Sequence, residues 1–295
     1  MGIIRTLAGA KTLFPDVVTN EFINNMPRRE LTEQEKALPY AKYYDKDMAP
    51  IPEEDLAIVN AGPIDPALAL PIEDCARLLD EGYLPTETGF CVLPDGSGFA
   101  ATKVFMPDVT PQMIDWWFNW HPLEGLRYAI WCPIAHVSIS AKTPKAHLDS
   151  SGVPLSVRNI GKTHYPIEGF DIKSAQPIEI AFYPPEVLGL TMEQMHRSPI
   201  QSFSIAACST TWGHLPINVF FHSVREVPGG VEYRSRYWLN HTIRHGKLAR
   251  SKLPVPTREQ SCYMARCNCI HSLTEYNNLA SILPSLYHEY GGRIE

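Results

Sequence analysis

The sequence predicts an α+β fold in which a curved antiparallel sheet wraps one long C-terminal helix and encloses a pocket between them. Three observations carry that expectation. Short strand-like runs recur from Phe90 onward, separated by turn residues rather than by long helices. The clearest pair, Asn218 to Val227 and Val231 to Leu239, flanks Pro228-Gly229-Gly230, a strong hairpin signal. After these strands, Arg258 to Tyr287 reads as a single helix, with Pro284 as a bend and Gly291-Gly292 beyond its end. Strands followed by a segregated helix are the α+β pattern.

Taken in order, the first 70 or so residues are rich in Pro and charge. Short helices are predicted at Thr32 to Tyr40, where Thr32 and Glu35 form a capping pair, and at Glu53 to Val59. A further helix is expected over Ile72 to Glu81. Residues 1–85 therefore read as a small N-terminal subdomain or wrapping arm, and residues 86–295 as the main domain. Phe90 to Leu93 and Phe99 to Phe105 flank Pro94-Asp95-Gly96-Ser97-Gly98, a second hairpin signal. Thr110-Pro111 opens a helix, with Pro where a missing N–H costs nothing. Met113, Trp116, Trp117 and Trp120 follow at helical spacing, a pattern that favours core packing. Further strands are expected at His136 to Ser140, Pro177 to Tyr183 and Gln201 to Ser209.

Composition narrows the function classes. The chain has 295 residues, 44% hydrophobic and 20% charged, enough to bury a sizeable core. Its net charge of -6, with no basic and aromatic cluster, argues against nucleic acid or an acidic membrane surface as partner. No run approaches the roughly 18 apolar residues needed to span a bilayer. The N-terminus carries no signal-peptide block, although Met1-Gly2 with Thr6 fits the loose myristoylation pattern. Seven scattered cysteines suit a reducing compartment, and the expected location is the cytoplasm.

The chemistry-bearing residues converge on the last helix. His271 and Glu275 are four apart, so a helix places both on one face and within reach of one metal ion. Nitrogen with carboxylate oxygen suits catalytic zinc, whereas the bland alternative is a solvated His–Glu pair. Cys262, Cys267 and Cys269 lack the paired C-x2-C of a structural zinc knuckle and read as small buried hydrophobes. On the hairpin, a Gly229-Gly230 loop would place His222 directly opposite Tyr237, with Phe220 and Val224 on the same buried face. That pair could act as general acid and base, or His222 could be a hydrogen-bonded core residue.

Two Trp-rich blocks then resemble a known family. Trp116-Trp117-Phe118-Asn119-Trp120-His121 and Arg127-Tyr128-Ala129-Ile130-Trp131, ending in His136, look like the 2,4-diacetylphloroglucinol hydrolases and the related phloretin hydrolases. The likeness continues in Arg234-Ser235-Arg236-Tyr237-Trp238, in His271 to Tyr287 and at Leu38-Pro39-Tyr40. The resemblance implies a helix-grip fold of the Bet v 1 and START kind, a homodimer, and one zinc held by two His and two Glu. Carried over here, the ligands are His136, His271, Glu275 and a mid-chain Glu, with Glu168 chosen and Glu179 as fallback. Tyr128, His222 and Tyr237 match polar residues near the family's substrate. Two departures stand out: Cys132 and Ile139 occupy positions where more polar residues are expected.

The implied reaction cleaves the bond between an aromatic ring carbon and an acyl carbonyl in an acylphloroglucinol, with phloretin ahead of the diacetyl compound. A protonated, dearomatised ring becomes an enolate-like leaving group, and zinc can polarise oxygen and acidify water. His222 is the candidate for moving protons, and Tyr128 and Tyr237 for holding phenolic oxygens. The competing expectation is a non-catalytic carrier of aromatic metabolites on the same fold.

Overall fold

The computed structural model describes residues 13–141, 150, 152–251, 256–292 and 294; the Met1-Gly2 and Thr6 pattern lies outside them. Eight strands form one sheet: β1 (Gly89–Val92), β2 (Gly98–Pro107), β3 (His136–Ala141), β4 (Thr163–Glu168), β5 (Gln176–Phe182), β6 (Ser202–Thr210), β7 (Pro216–Val227) and β8 (Gly230–Leu239). Their spatial order is β1-β2-β8-β7-β6-β5-β4-β3, with every neighbouring pair antiparallel. A two-stranded sheet, β9 (His241–Arg244) and β10 (Lys247–Arg250), lies beside it. The described α-helices are α1 (Asn20–Asn24), α2 (Glu33–Lys36), α3 (Glu53–Asn60), α4 (Pro111–Trp120), α5 (Gly125–Ala129), α6 (Met192–Arg197) and α7 (Arg258–Tyr290).

The α+β expectation holds: a large antiparallel sheet packs against a long C-terminal helix. The seven strands read from the sequence lie within a few residues of their predicted bounds, while β4, β9 and β10 are additional. Among the N-terminal elements, Thr32 and Glu35 form a capping box, but α2 lasts only four residues. The helix expected at Ile72 to Glu81 is a 3-10 helix over Ile72–Leu79. At the other end, α7 continues through Pro284 to Tyr290.

Alternating side chains give the sheet two buried faces. On β2, Ala100, Val104 and Met106 face α7, whereas Phe99 and Ala101 face the opposite layer. Trp116, Trp117 and Trp120 are buried with the α7 layer, as their spacing predicted. Tyr43, Tyr44, Met48, Ile51 and Leu56 from the N-terminal segment join that same cluster. The far face is covered by Leu70, Ile72 and Leu78 together with Val187, Leu190 and Met195.

The β7–β8 hairpin corrects one expectation. Its two-residue loop is Pro228-Gly229, not Gly229-Gly230, because Val227 pairs with Gly230. Pro228 followed by Gly229 at φ +84 is the sequence that a type II turn requires. His222 therefore stands opposite Ser235, and Tyr237 opposite Phe220. His222 and Tyr237 keep the same face but are diagonal neighbours. No described helix is long and apolar enough to cross a membrane.

Candidate metal centre and substrate pocket

His136, His271 and Glu275 meet where α7 faces the start of β3, and Glu168 lies beside His136 from the end of β4. His136 begins β3, directly opposite Glu168 at the end of β4. The register slips between His136 and Ser138, and a bulge of this kind re-aims a side chain beside a site. Arg29 Nε donates to the bulged Val137 carbonyl at 3.1 Å, so the N-terminal segment satisfies the bulge. From the helix, His271 and Glu275 project one turn apart. Ligand atoms of His136, His271 and Glu275 all lie within 4.8 Å of one another. His136 Nε2 is 3.5 Å from Glu275 Oε2 and 3.8 Å from Glu168 Oε2, and His271 Nε2 is 3.8 Å from Glu275 Oε2.

The surroundings favour a cation. His136 Nδ1 lies 3.3 Å from the Tyr128 carbonyl, which fixes the proton there and leaves Nε2 as a lone-pair donor. That Nε2 is buried with no hydrogen-bond partner among the described residues. Burial pushes the Glu275 carboxyl far above its ordinary range, and nearby Glu168 adds to the effect. Burial also raises Glu168 to about 8, lowers His271 to about 4, and holds His136 well below its usual value. Neither carboxylate has a Lys or Arg ion pair among the described residues. Two carboxylates and two neutral imidazoles without a counter-charge are a donor set that a divalent metal would complete.

The helix and loop carrying this set are locked together. Trp131 Nε1 donates to the Glu275 carbonyl at 3.0 Å, and Asn278 Nδ2 returns a bond to the Trp131 carbonyl at 2.8 Å. Glu124 caps α5 and accepts from Tyr40, so Tyr128 sits on an anchored helix. The Tyr128 ring stacks on His136 with centroids 4.1 Å apart and planes 5° apart.

A cavity of about 110 Å³ opens beside these residues, walled mainly by apolar and aromatic side chains such as Phe118, Trp131, Ile139 and Phe220. Tyr128, Glu168, His222, Tyr237, His271 and Glu275 all line it. His136 lies behind that wall, fully buried. The fallback Glu179 is elsewhere: its carboxylate accepts from His214 at 2.9 Å, and it does not line the cavity. Alternation along β5 explains this, since Ile178 and Ile180 point inward and Glu179 outward. Cys267 and Cys269 are buried, Cys262 is half-buried, and all seven cysteines are free.

His222 has a different partner from the one expected. Its Nδ1 lies 2.9 Å from Ser235 Oγ, and its Nε2 lies 3.3 Å from the Tyr276 hydroxyl. Tyr233 donates to Tyr276 at 3.1 Å, so two phenols and an imidazole form one chain. Burial lowers His222 to about 3, which keeps the ring neutral. Tyr237 instead donates to Ser272 at 3.2 Å while its ring sits edge-on to His222. Tyr276 and Tyr233 were not singled out from the sequence; the adjacency of Tyr276 to Glu275 was the available signal.

Residues 70–288 match the family described as DAPG hydrolase PhiG domain. A 2,4-diacetylphloroglucinol hydrolase from Pseudomonas sp is 31% identical over 271 residues, covering 86% of this chain and 88% of that protein. Another from Pseudomonas protegens is also 31% identical, over 86% of this chain and 85% of its own length. A phloretin hydrolase from Eubacterium ramulus is 30% identical over 269 residues, covering 87% of this chain and 92% of its own.

Proposed function

The chain belongs to the DAPG hydrolase family, and from that premise we propose that it hydrolyses the carbon–carbon bond between an aromatic ring and an acyl carbonyl in acylphloroglucinols. Phloretin would yield phloroglucinol and phloretic acid, and 2,4-diacetylphloroglucinol would yield the monoacetyl compound and acetate. The observation that carries the reading is the grouping of His136, His271 and Glu275, with Glu168 3.8 Å from His136, at the wall of one aromatic-lined cavity.

We assign zinc to this set, held by the two His and two Glu side chains. When bound, zinc would polarise a substrate oxygen and make water a stronger acid. Hydrolysis adds the hydroxyl of water to the acyl carbon and a proton to the ring carbon as the bond between them breaks. Tyr276 would pass a proton along the Tyr233–Tyr276–His222 chain, and His222, neutral and held by Ser235, would relay it. Tyr128 and Tyr237 would orient phenolic oxygens, while the aromatic walls exclude bulk water.

The same reading includes a helix-grip arrangement of the sheet around α7 and a division into residues 1–85 and 86–295. It also includes a cytoplasmic location and a homodimer. Elemental mass spectrometry of the purified chain should find about one zinc per protomer. E275A should lose the metal and at least a hundredfold in turnover while keeping its circular dichroism spectrum. Full turnover by E275A would overturn the metal assignment, and ligand binding without product would favour a carrier.

A further inference from the structure

The cavity carries a second polar feature, distant from the proton chain, that the proposed chemistry does not use. Asn218 on β7 and Asn268 on α7 both line it. Their side chains are 5% and 7% exposed, and Asn218 Nδ2 donates to Asn268 Oδ1 at 3.3 Å. That bond fixes which way the Asn218 amide points. Asn218 Oδ1 is then a buried acceptor with no hydrogen-bond partner among the described residues. Buried acceptors are rarely left unpaired, because the desolvation cost is not recovered.

We infer that Asn218, oriented by Asn268, is the acceptor for a hydroxyl at the far end of the substrate's acyl chain, and that the enzyme therefore selects acyl groups ending in a hydroxyaryl ring. The inference rests on the proposed hydrolase reading. The geometry orders the pocket. Along α7, Tyr276 meets His222 at one end, Glu275 and His271 follow, and Asn268 comes last. At 1.5 Å rise per residue, Asn268 lies roughly 10 Å along the axis from Glu275. On β7, four residues separate His222 from Asn218, roughly 13 Å of extended strand.

The phenol-rich end, where Tyr237 and Tyr276 line the cavity near His222, fits a polyhydroxylated ring. The carbonyl then falls beside the metal set, and the acyl chain runs toward the Asn pair. A two-carbon acetyl group extends least toward Asn218. A three-carbon chain bearing a para-hydroxyphenyl group spans the distance. Its path is apolar, past Cys208, Ile217 and Phe220, so the amide is the polar group that such a chain meets at its tip.

The test compares phloretin with its analogue lacking the single hydroxyl on the propanoyl-side ring, using the zinc-loaded protein. The wild type should show a kcat/KM at least about tenfold higher for phloretin, because a site built to bond a hydroxyl rejects the analogue without it. N218L should bring the ratio of the two values close to one, and N268A should reduce it. Calorimetric binding of both compounds, in wild type and N218L, runs alongside. Equal kcat/KM values in the wild type overturn the inference while leaving the hydrolase reading intact, and so does a ratio unchanged in N218L. If nothing is cleaved but binding still discriminates through Asn218, the hydrolase reading fails and the recognition role stands.

Discussion

A two-residue step in hairpin pairing decides which hydroxyl His222 meets. With the loop at Pro228-Gly229, His222 faces Ser235 and reaches up to Tyr276 on α7, instead of sitting across from Tyr237. The face was legible in the sequence because its period of two survives any even shift. The partner was not, because it belongs to another element and alternation along β7 says nothing about α7. Tyr276 is therefore the residue to test. Y276F removes the hydroxyl between Tyr233 and His222 Nε2 and keeps the ring. Positioned acid–base groups contribute typically 10²–10⁴ in rate, so a kcat loss of at least tenfold is expected, with zinc content unchanged. Stability should fall by only about 1 kcal/mol, the net worth of an ordinary hydrogen bond. A Y276F enzyme with wild-type kcat would remove Tyr276 from the proton path.

At the scale of elements, the function depends on how closely α7 lies against β2. Gly98 permits that approach: a Cβ there would sit 2.9 Å from the Ser261 carbonyl oxygen and 3.3 Å from the Ala265 Cβ. The nearest obstacle is helix backbone, which cannot rotate away. G98A should therefore push the helix outward and cost about 1–3 kcal/mol of overpacking, a fall of a few degrees in Tm for a chain of this size. Because His271 and Glu275 ride on that helix, the variant should also lose zinc faster to a chelator. An unchanged Tm and chelation rate would show that α7 tolerates the shift. The sequence marked Gly98 only as a turn residue, since helix contact is a long-range fact. For a related reason β4 escaped notice. Pro166 interrupts it, and the β4–β5 pairing indeed skips from His164–Ile180 to Ile167–Pro177 around that residue. Glu168 was reached through family resemblance, not through any strand pattern.

Across the whole molecule, the segment leading into β1 is tied to the outer face of the sheet by buried arginines that the sequence showed only as part of an Arg-Ser-Arg block. Arg234 and Arg236, 2% and 0% exposed, both pair with Glu87, while Arg236 also reaches the Thr86 carbonyl. Trp238 Nε1 donates to the Leu70 carbonyl beside them. Alternation along β8 placed these arginines on one face, but only the folded chain brings Glu87 to them. Burial alone would raise the Glu87 carboxyl; the Arg234 hydrogen bond and both guanidinium charges outweigh it and hold the group at about 2 instead of 4.5. A depressed folded-state pKa stabilises the protein above the unfolded value, and the contribution drains away as pH falls from about 4.5 toward about 2. Its size is on the order of 3 kcal/mol. Urea unfolding should therefore show stability dropping through that window. E87Q should begin about 3–5 kcal/mol less stable at neutral pH, because two buried cations lose their anion, and should show a visibly shallower acid slope. An E87Q profile parallel to the wild type below pH 4.5 would mean that other carboxylates, and not this junction, control the acid sensitivity of the fold.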